Sequence, residues 1–345
     1  MNKYENIPRR LDIRIVLIFI ISFLYAFLLS SLDLSLFKDV KNYIVYINTL
    51  DYRKDLILSN GIIFYEPIFY GICSFFNIFF EPEKIVRGFI FFNSFTIFFF
   101  CLRAFRKNWL GMLLLVTCLF QVQVFAMELV TLRQGIALSL LLWIFPLLKK
   151  DSHLFILLCM LGMIHNSFFI IGIFQLAFNF LNKFNYQNYY IKFIYLFCFG
   201  LVFNVLIFVI LSYFSTKQGQ GYEDAELQGG GGGFLLWGII FFYIAIFKKS
   251  VYQDQVFRRF YEFSLLGLII YLSAYFLSPV AGRIIGVFVP FIYFSLLIKV
   301  KIEDIMFTNL ILFINLYLFF NGGAEVFMES NLSNLFENIK NVILY

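Results

Sequence analysis

A chain of 345 residues that is 61% hydrophobic and only 14% charged is no soluble domain, because an interior of that size cannot hide so much apolar surface. A mean hydropathy of +0.85, in runs that are continuous rather than alternating, predicts an all-α polytopic membrane protein and excludes an outer-membrane barrel. The net charge of +6 lies in short basic clusters between apolar runs, where it orients helices, so no nucleic-acid partner is expected.

In chain order, a basic N-terminus leads into a first span at about residues 13–32. Arg9, Arg10 and Arg14 hold the N-terminus in the cytoplasm, and with no A-x-A cleavage pattern the run reads as an anchor. Residues 33–61 carry Asp39, Tyr43, Asp51, Arg53 and Asp55 and read as short amphipathic helices at the outer face. An apolar run over residues 62–80 is interrupted by Glu66-Pro67. The next span, residues 87–102, ends at the cytoplasmic signal Arg103, Arg106 and Lys107.

Residues 109–127 lead outward to Glu128 and Arg133, and residues 132–148 return to Lys149 and Lys150. Residues 215–233 form an acidic, glycine-rich loop expected outside. Residues 234–247 lead in to Lys248, Lys249, Arg258 and Arg259. Residues 261–277 lead out, 284–298 return to Lys299 and Lys301, and 306–320 end outside. Residues 328–345 carry Leu332, Leu335, Phe336, Ile339 and Ile343 on one helical face, an interfacial helix. The whole chain, 1–345, reads as one integral-membrane domain.

Two stretches defeat simple counting. Residues 153–181 must enter and leave on the cytoplasmic side, yet about 29 residues at 1.5 Å each are too few for two full spans. A hairpin of short helices with His165, Asn166 and Ser167 at its tip resolves the count. Residues 61–80 similarly start and finish outside, which puts Glu66 on a second re-entrant piece. The total is about 10–12 membrane helices, and both breaks point at one outward-facing cavity, since irregular backbone at membrane depth needs protein or water beside it. The alternative is a local failure of the positive-inside rule.

Arg133, with Gln134 beside it, and Arg283 come from distant parts of the chain and fall at the same outer depth. Two planar, permanently charged forks at one depth suit a diphosphate; the alternative is that each snorkels to lipid headgroups. His165, at a break and flanked by Asn166 and Ser167, reads as functional, whereas His153 reads as surface. Asp39, Asp51, Glu66 and Glu128 are outer-side carboxylates able to accept a proton from a hydroxyl. Glu66 has the most apolar setting and the strongest expectation of a raised pKa. Tyr222 and Glu223 in the acidic loop could touch a saccharide. The five cysteines lie inside apolar runs without a C-x-x-C pair, so neither a metal site nor a disulfide framework is expected, and no cofactor motif occurs.

Several short stretches together resemble the EpsG/Wzy-type membrane polysaccharide polymerases, which include O-antigen polymerases. They are D-V-K-N-Y (39–43), Tyr65-Glu66-Pro67, T-L-R-Q-G-I-A-L-S-L (131–140), M-I-H-N-S-F-F (163–169) and Gly282-Arg283, in the expected order. The resemblance implies a fold related to the GT-C glycosyltransferases, placed in the bacterial inner (plasma) membrane with its active site facing the periplasm. It implies transfer of a growing glycan from undecaprenyl diphosphate to a lipid-linked repeat unit, with membrane lipids and a chain-length regulator protein as partners. On that reading Arg133, Arg283 and Gln134 hold the diphosphate, and His165, Glu66 and Asp51 are catalytic. Asp39, Tyr43, Asn166 and Tyr222 then meet acceptor or saccharide. An O-antigen ligase shares this architecture. A lipid-linked oligosaccharide flippase would want cations reachable from both faces, whereas here they cluster toward one.

Overall fold

The computed structural model describes residues 13–52, 54, 66–105, 109–148, 150–184, 189–213, 232–252, 257–277 and 281–344. Tyr222 and nearly all of the 215–233 loop fall outside them. Every regular element among the described residues is helical, and one isolated bridge, Phe37 to Met328, is the nearest approach to a strand. We number the helices α1 (Ile13–Ser30), α2 (Val40–Asn48), α3 (Pro67–Asn77), α4 (Pro82–Phe105), α5 (Trp109–Leu119), α6 (Val122–Leu129), α7 (Leu132–Ile144) and α8 (Asp151–Gly162). They continue with α9 (Ser167–Leu181), α10 (Tyr189–Tyr213), α11 (Gly232–Phe247), α12 (Arg258–Ala274), α13 (Ala281–Leu297), α14 (Ile302–Leu318) and α15 (Leu332–Leu344).

Local chemistry sets several boundaries. Pro67 and Pro82 open α3 and α4, where a missing N–H does no harm. Asp33 accepts from the Ser35 N–H at 2.9 Å and starts a single 3-10 turn after α1. Asn321 and Gly322, the latter at φ +91°, end α14.

Helices α12 and α13 form the centre. Nearly every residue of both is buried, so these stretches are apolar all round. They pack on each other and are wrapped by α4, α5, α6, α9, α10 and α11. Helices α1 and α14 lie outermost, each with only 22% of its apolar window buried. Among the described residues three helices are long and apolar enough to cross a membrane, and a fourth crossing exists if the bent pair α5 and α6 is one span. The all-α polytopic membrane architecture expected from composition is therefore present.

The sequence predicts one span over 109–127. The structure breaks it by 64° between α5 and α6. No proline or glycine causes the bend; Gln121 does, because it is a buried amide whose oxygen accepts from the Tyr293 hydroxyl of α13 at 3.1 Å. Asn315 of α14 donates to the same hydroxyl at 2.9 Å and to the Thr117 carbonyl at 3.3 Å, meeting backbone that the break exposes.

The hairpin expected over 153–181 is present as α8 and α9. These helices of 12 and 15 residues are packed on each other and joined by a tight turn. Helix α3, at 11 residues, rises only about 16 Å, too short to cross a bilayer core of about 30 Å. Lys248, counted on sequence with the cytoplasmic cations, is buried instead. It pairs with Asp304 at 2.7 Å, both side chains 2% exposed, and donates to the Ile298 carbonyl at 2.9 Å.

Candidate functional site

The site is built at the corner between α6 and α7. Thr131 turns the chain by donating its backbone N–H to the Ala126 carbonyl at 2.6 Å, and Arg133 follows as the second residue of α7. Asn93 of α4 fixes the corner, donating to the Met127 carbonyl at 3.3 Å and the Leu132 carbonyl at 3.1 Å. Gly135 permits the approach: a Cβ there would overlap both the Met127 carbonyl and the Asn93 side chain. Sequence reasoning passed over Asn93 and Gly135. The available signal was that Asn93 is the only amide side chain in α4, amid five phenylalanines and two isoleucines in residues 89–98.

Arg133 ion-pairs with Glu66 through Nη1. Its guanidinium also stands over the Tyr43 ring, 5.7 Å from the centroid, and the Phe69 ring at 5.8 Å, a cation–π arrangement. Glu66 occupies the N-cap of α3 in the left-handed region, φ 53°, which a non-glycine residue adopts only where its surroundings impose it. Its second oxygen accepts from the Asn166 backbone N–H at 3.3 Å, and the next turn is tied down by Ile68 N–H to the Met163 carbonyl at 3.1 Å. One carboxylate thus joins α7, the start of α3 and the turn between α8 and α9. Burial pushes the Glu66 carboxyl up, and Arg133 and the Asn166 N–H oppose the rise.

His165 lies in the α8–α9 turn, its Nδ1 2.7 Å from the Ser167 hydroxyl. Burial, together with the Arg133 and Arg283 guanidiniums, pushes the imidazole well below its ordinary value. Both arginines found on sequence therefore act on one histidine. Arg283, the third residue of α13, is exposed, and no described group pairs with its guanidinium. Gln134 is buried, and its amide donates to the Arg283 carbonyl, so it positions Arg283.

Gln134, Arg283, Gly282, Thr131, Gln123, Met127 and Phe327 are among the walls of a cavity of about 210 Å³. That is room for roughly seven waters, enough for a diphosphate and too little for a saccharide chain. Tyr43 is buried beneath Arg133, and Asp39 caps α2 one turn away with its carboxylate 3.4 Å from the Asn42 amide. Asp51 is exposed and makes no described contact with this cluster. Glu128 is buried in α6, one oxygen accepting from the Tyr25 hydroxyl at 2.8 Å, so it is not a headgroup-level carboxylate. Among the described residues no three His, Cys, Asp or Glu side chains converge as a metal-ligating set.

A helical bundle with broken and short helices, and a cavity whose wall carries Arg283, defines a multi-pass membrane protein with a cationic cavity. The model of the EpsG family matches residues 16–336, which takes in every residue of this cluster, and the chain belongs to the EpsG family. Comparison with curated proteins gave no match, and comparison with solved structures gave none.

Proposed function

We propose that the protein is a polysaccharide polymerase, a glycosyltransferase that moves a growing glycan from undecaprenyl diphosphate to a lipid-linked repeat unit. The work is done at the periplasmic face of the bacterial inner membrane, on a GT-C-like scaffold. The observation that carries the reading is the pairing state of the two arginines. Arg133 is paired with Glu66, while Arg283, in the cavity wall, has no counter-charge among the described residues, so the cavity holds positive charge awaiting an anion. Membership of the EpsG family supports the same reading.

The leaving group is a lipid diphosphate, so the enzyme mainly neutralises developing charge and positions the acceptor. Arg283 and Arg133 take the diphosphate oxygens through their planar forks. His165, with Nδ1 engaged by Ser167, donates from Nε2 to a phosphate or acceptor oxygen. Glu66, occupied on both oxygens, orients Arg133 and accepts the acceptor proton only once substrate displaces that pairing. Tyr43, Asp39 and Asn166 form the acceptor side.

The test is the glycan ladder from cells lacking the gene and complemented with wild type or Arg283→Ala. Lipid-linked single repeats without polymer in the Arg283→Ala cells, and a full ladder with wild type, are expected. Polymer left on its lipid carrier would mean a ligase, and repeats trapped on the cytoplasmic side would mean a flippase; either outcome overturns the proposal.

A further inference from the structure

A second, larger cavity lies away from this site. A groove of about 520 Å³ runs between α1 and the start of α4, walled by Phe27, Ser30, Ser31, Arg87, Gly88 and Phe91. None of these residues belongs to the cluster around Arg133. The groove is open on the α1 side, where Leu24 and Phe27 are more than half exposed, so it faces the bilayer. Its apolar wall is continued by Phe23, whose ring meets Phe91 edge-on at 5.2 Å.

Arg87 closes one end. A single guanidinium nitrogen, Nη1, donates to the Ser30 carbonyl at 2.7 Å and the Leu32 carbonyl at 2.9 Å, capping the negative end of α1. The remaining edge of the fork, Nε and Nη2, has no partner among the described residues, and the side chain is half-buried. Asp33 feels the charge of Arg87 through space, and its carboxylate is taken by the Ser35 N–H at 2.9 Å. Glu83 and Lys84 on the same helix are exposed, and Lys84 pairs with Glu81 at 3.1 Å. The fork is thus pre-oriented by backbone and left charged at the mouth of an apolar channel. A Cβ on Gly88 would meet nothing within 4 Å, so the channel floor is open space and not packed chain.

We propose that this groove binds an anionic phospholipid, its phosphate on the free edge of Arg87 and one acyl chain along Phe27, Phe91 and Gly88. A planar fork with two free donors on one edge matches a phosphate bidentately, and aromatic walls match an acyl chain. The bound lipid bridges α1, the outermost helix, to α4, which packs on the corner that carries Arg133.

Purified full-length protein in mild detergent, given dioleoyl phosphatidylglycerol or dioleoyl phosphatidylcholine, is read by native mass spectrometry. Wild type is expected to retain the anionic lipid in preference to the zwitterionic one. Arg87→Gln should lower retention of phosphatidylglycerol roughly fivefold, the scale of one basic residue at an anionic surface. Gly88→Leu, which leaves the Arg87 bonds intact and whose Cβ meets nothing within 4 Å, should lower it as much by filling the channel. Retention by Gly88→Leu equal to wild type, or equal retention of both lipids by wild type, would overturn the proposal. So would displacement of phosphatidylglycerol by undecaprenyl phosphate at equal concentration, which would give the groove to the substrate lipid. The readout needs no turnover, so it stands or fails apart from the polymerase reading.

Discussion

Arg133 and Arg283 act on the same histidine, yet their loss should read out differently. Arg133 is bonded to Glu66 and stacked on Tyr43 and Phe69, whereas the Arg283 guanidinium touches no described partner. Arg283→Ala should therefore leave thermal stability within about 0.5 kcal/mol of wild type, as for an ordinary exposed substitution, while polymer formation falls about 100-fold or more. Arg133→Ala should lose activity and also about 1–3 kcal/mol of stability, because Glu66 would remain buried without its cation. Thermal unfolding in detergent beside a lipid-linked polymer assay separates the two, and equal loss of stability in both variants would sink this account. Gly135→Ala tests the corner itself. The added methyl overlaps the Met127 carbonyl and Asn93, so a loss of roughly 1–3 kcal/mol or more is expected from overpacking, together with a displaced Arg133.

At the scale of elements, what could be read from sequence was what apolar length and charge spacing encode. The run from 153 to 181 was too short for two spans, and it is two short helices with His165 in the turn. Glu66 stood out because a carboxylate in so apolar a setting needs a partner, and the partner is Arg133. The break after α5 escaped, since Gln121 bends the chain only through Tyr293 and Asn315, nearly 200 positions away at the far end. Gln134 was grouped with the diphosphate ligands; it lines the cavity, and its turn toward the Arg283 carbonyl escaped because a side chain's rotation about a helix is fixed by packing. Lys248 escaped for the same reason, as nothing local announces Asp304. Lys248→Met should cost about 3–5 kcal/mol in thermal unfolding by stranding the Asp304 charge, and Lys248→Met with Asp304→Leu should recover most of it. Failure of the double variant to recover would mean that the Tyr243 bond to Asp304, not the ion pair, fastens α11 to α14.

For the molecule as a whole, the proposed sidedness puts α2 outside and the turn after α9 inside. In a Cys198→Ser background, Asn48→Cys should react with an impermeant maleimide in intact spheroplasts, and Lys183→Cys only after lysis. The reverse pattern would move the cationic cavity to the cytoplasmic face and end the polymerase reading. The bend between α5 and α6 carries a consequence for how this protein is made. Its exposed backbone and its Gln121 are answered by Tyr293 on α13 and Asn315 on α14, both made more than 150 residues later. Until they arrive, the Gln121 amide of this largely apolar run lacks the partners that hold it. The bend that leads α6 to the Arg133 corner is therefore fixed only after Tyr293 and Asn315 are made, and a nascent chain stalled before residue 293 carries every upstream site residue without the bonds that hold that bend.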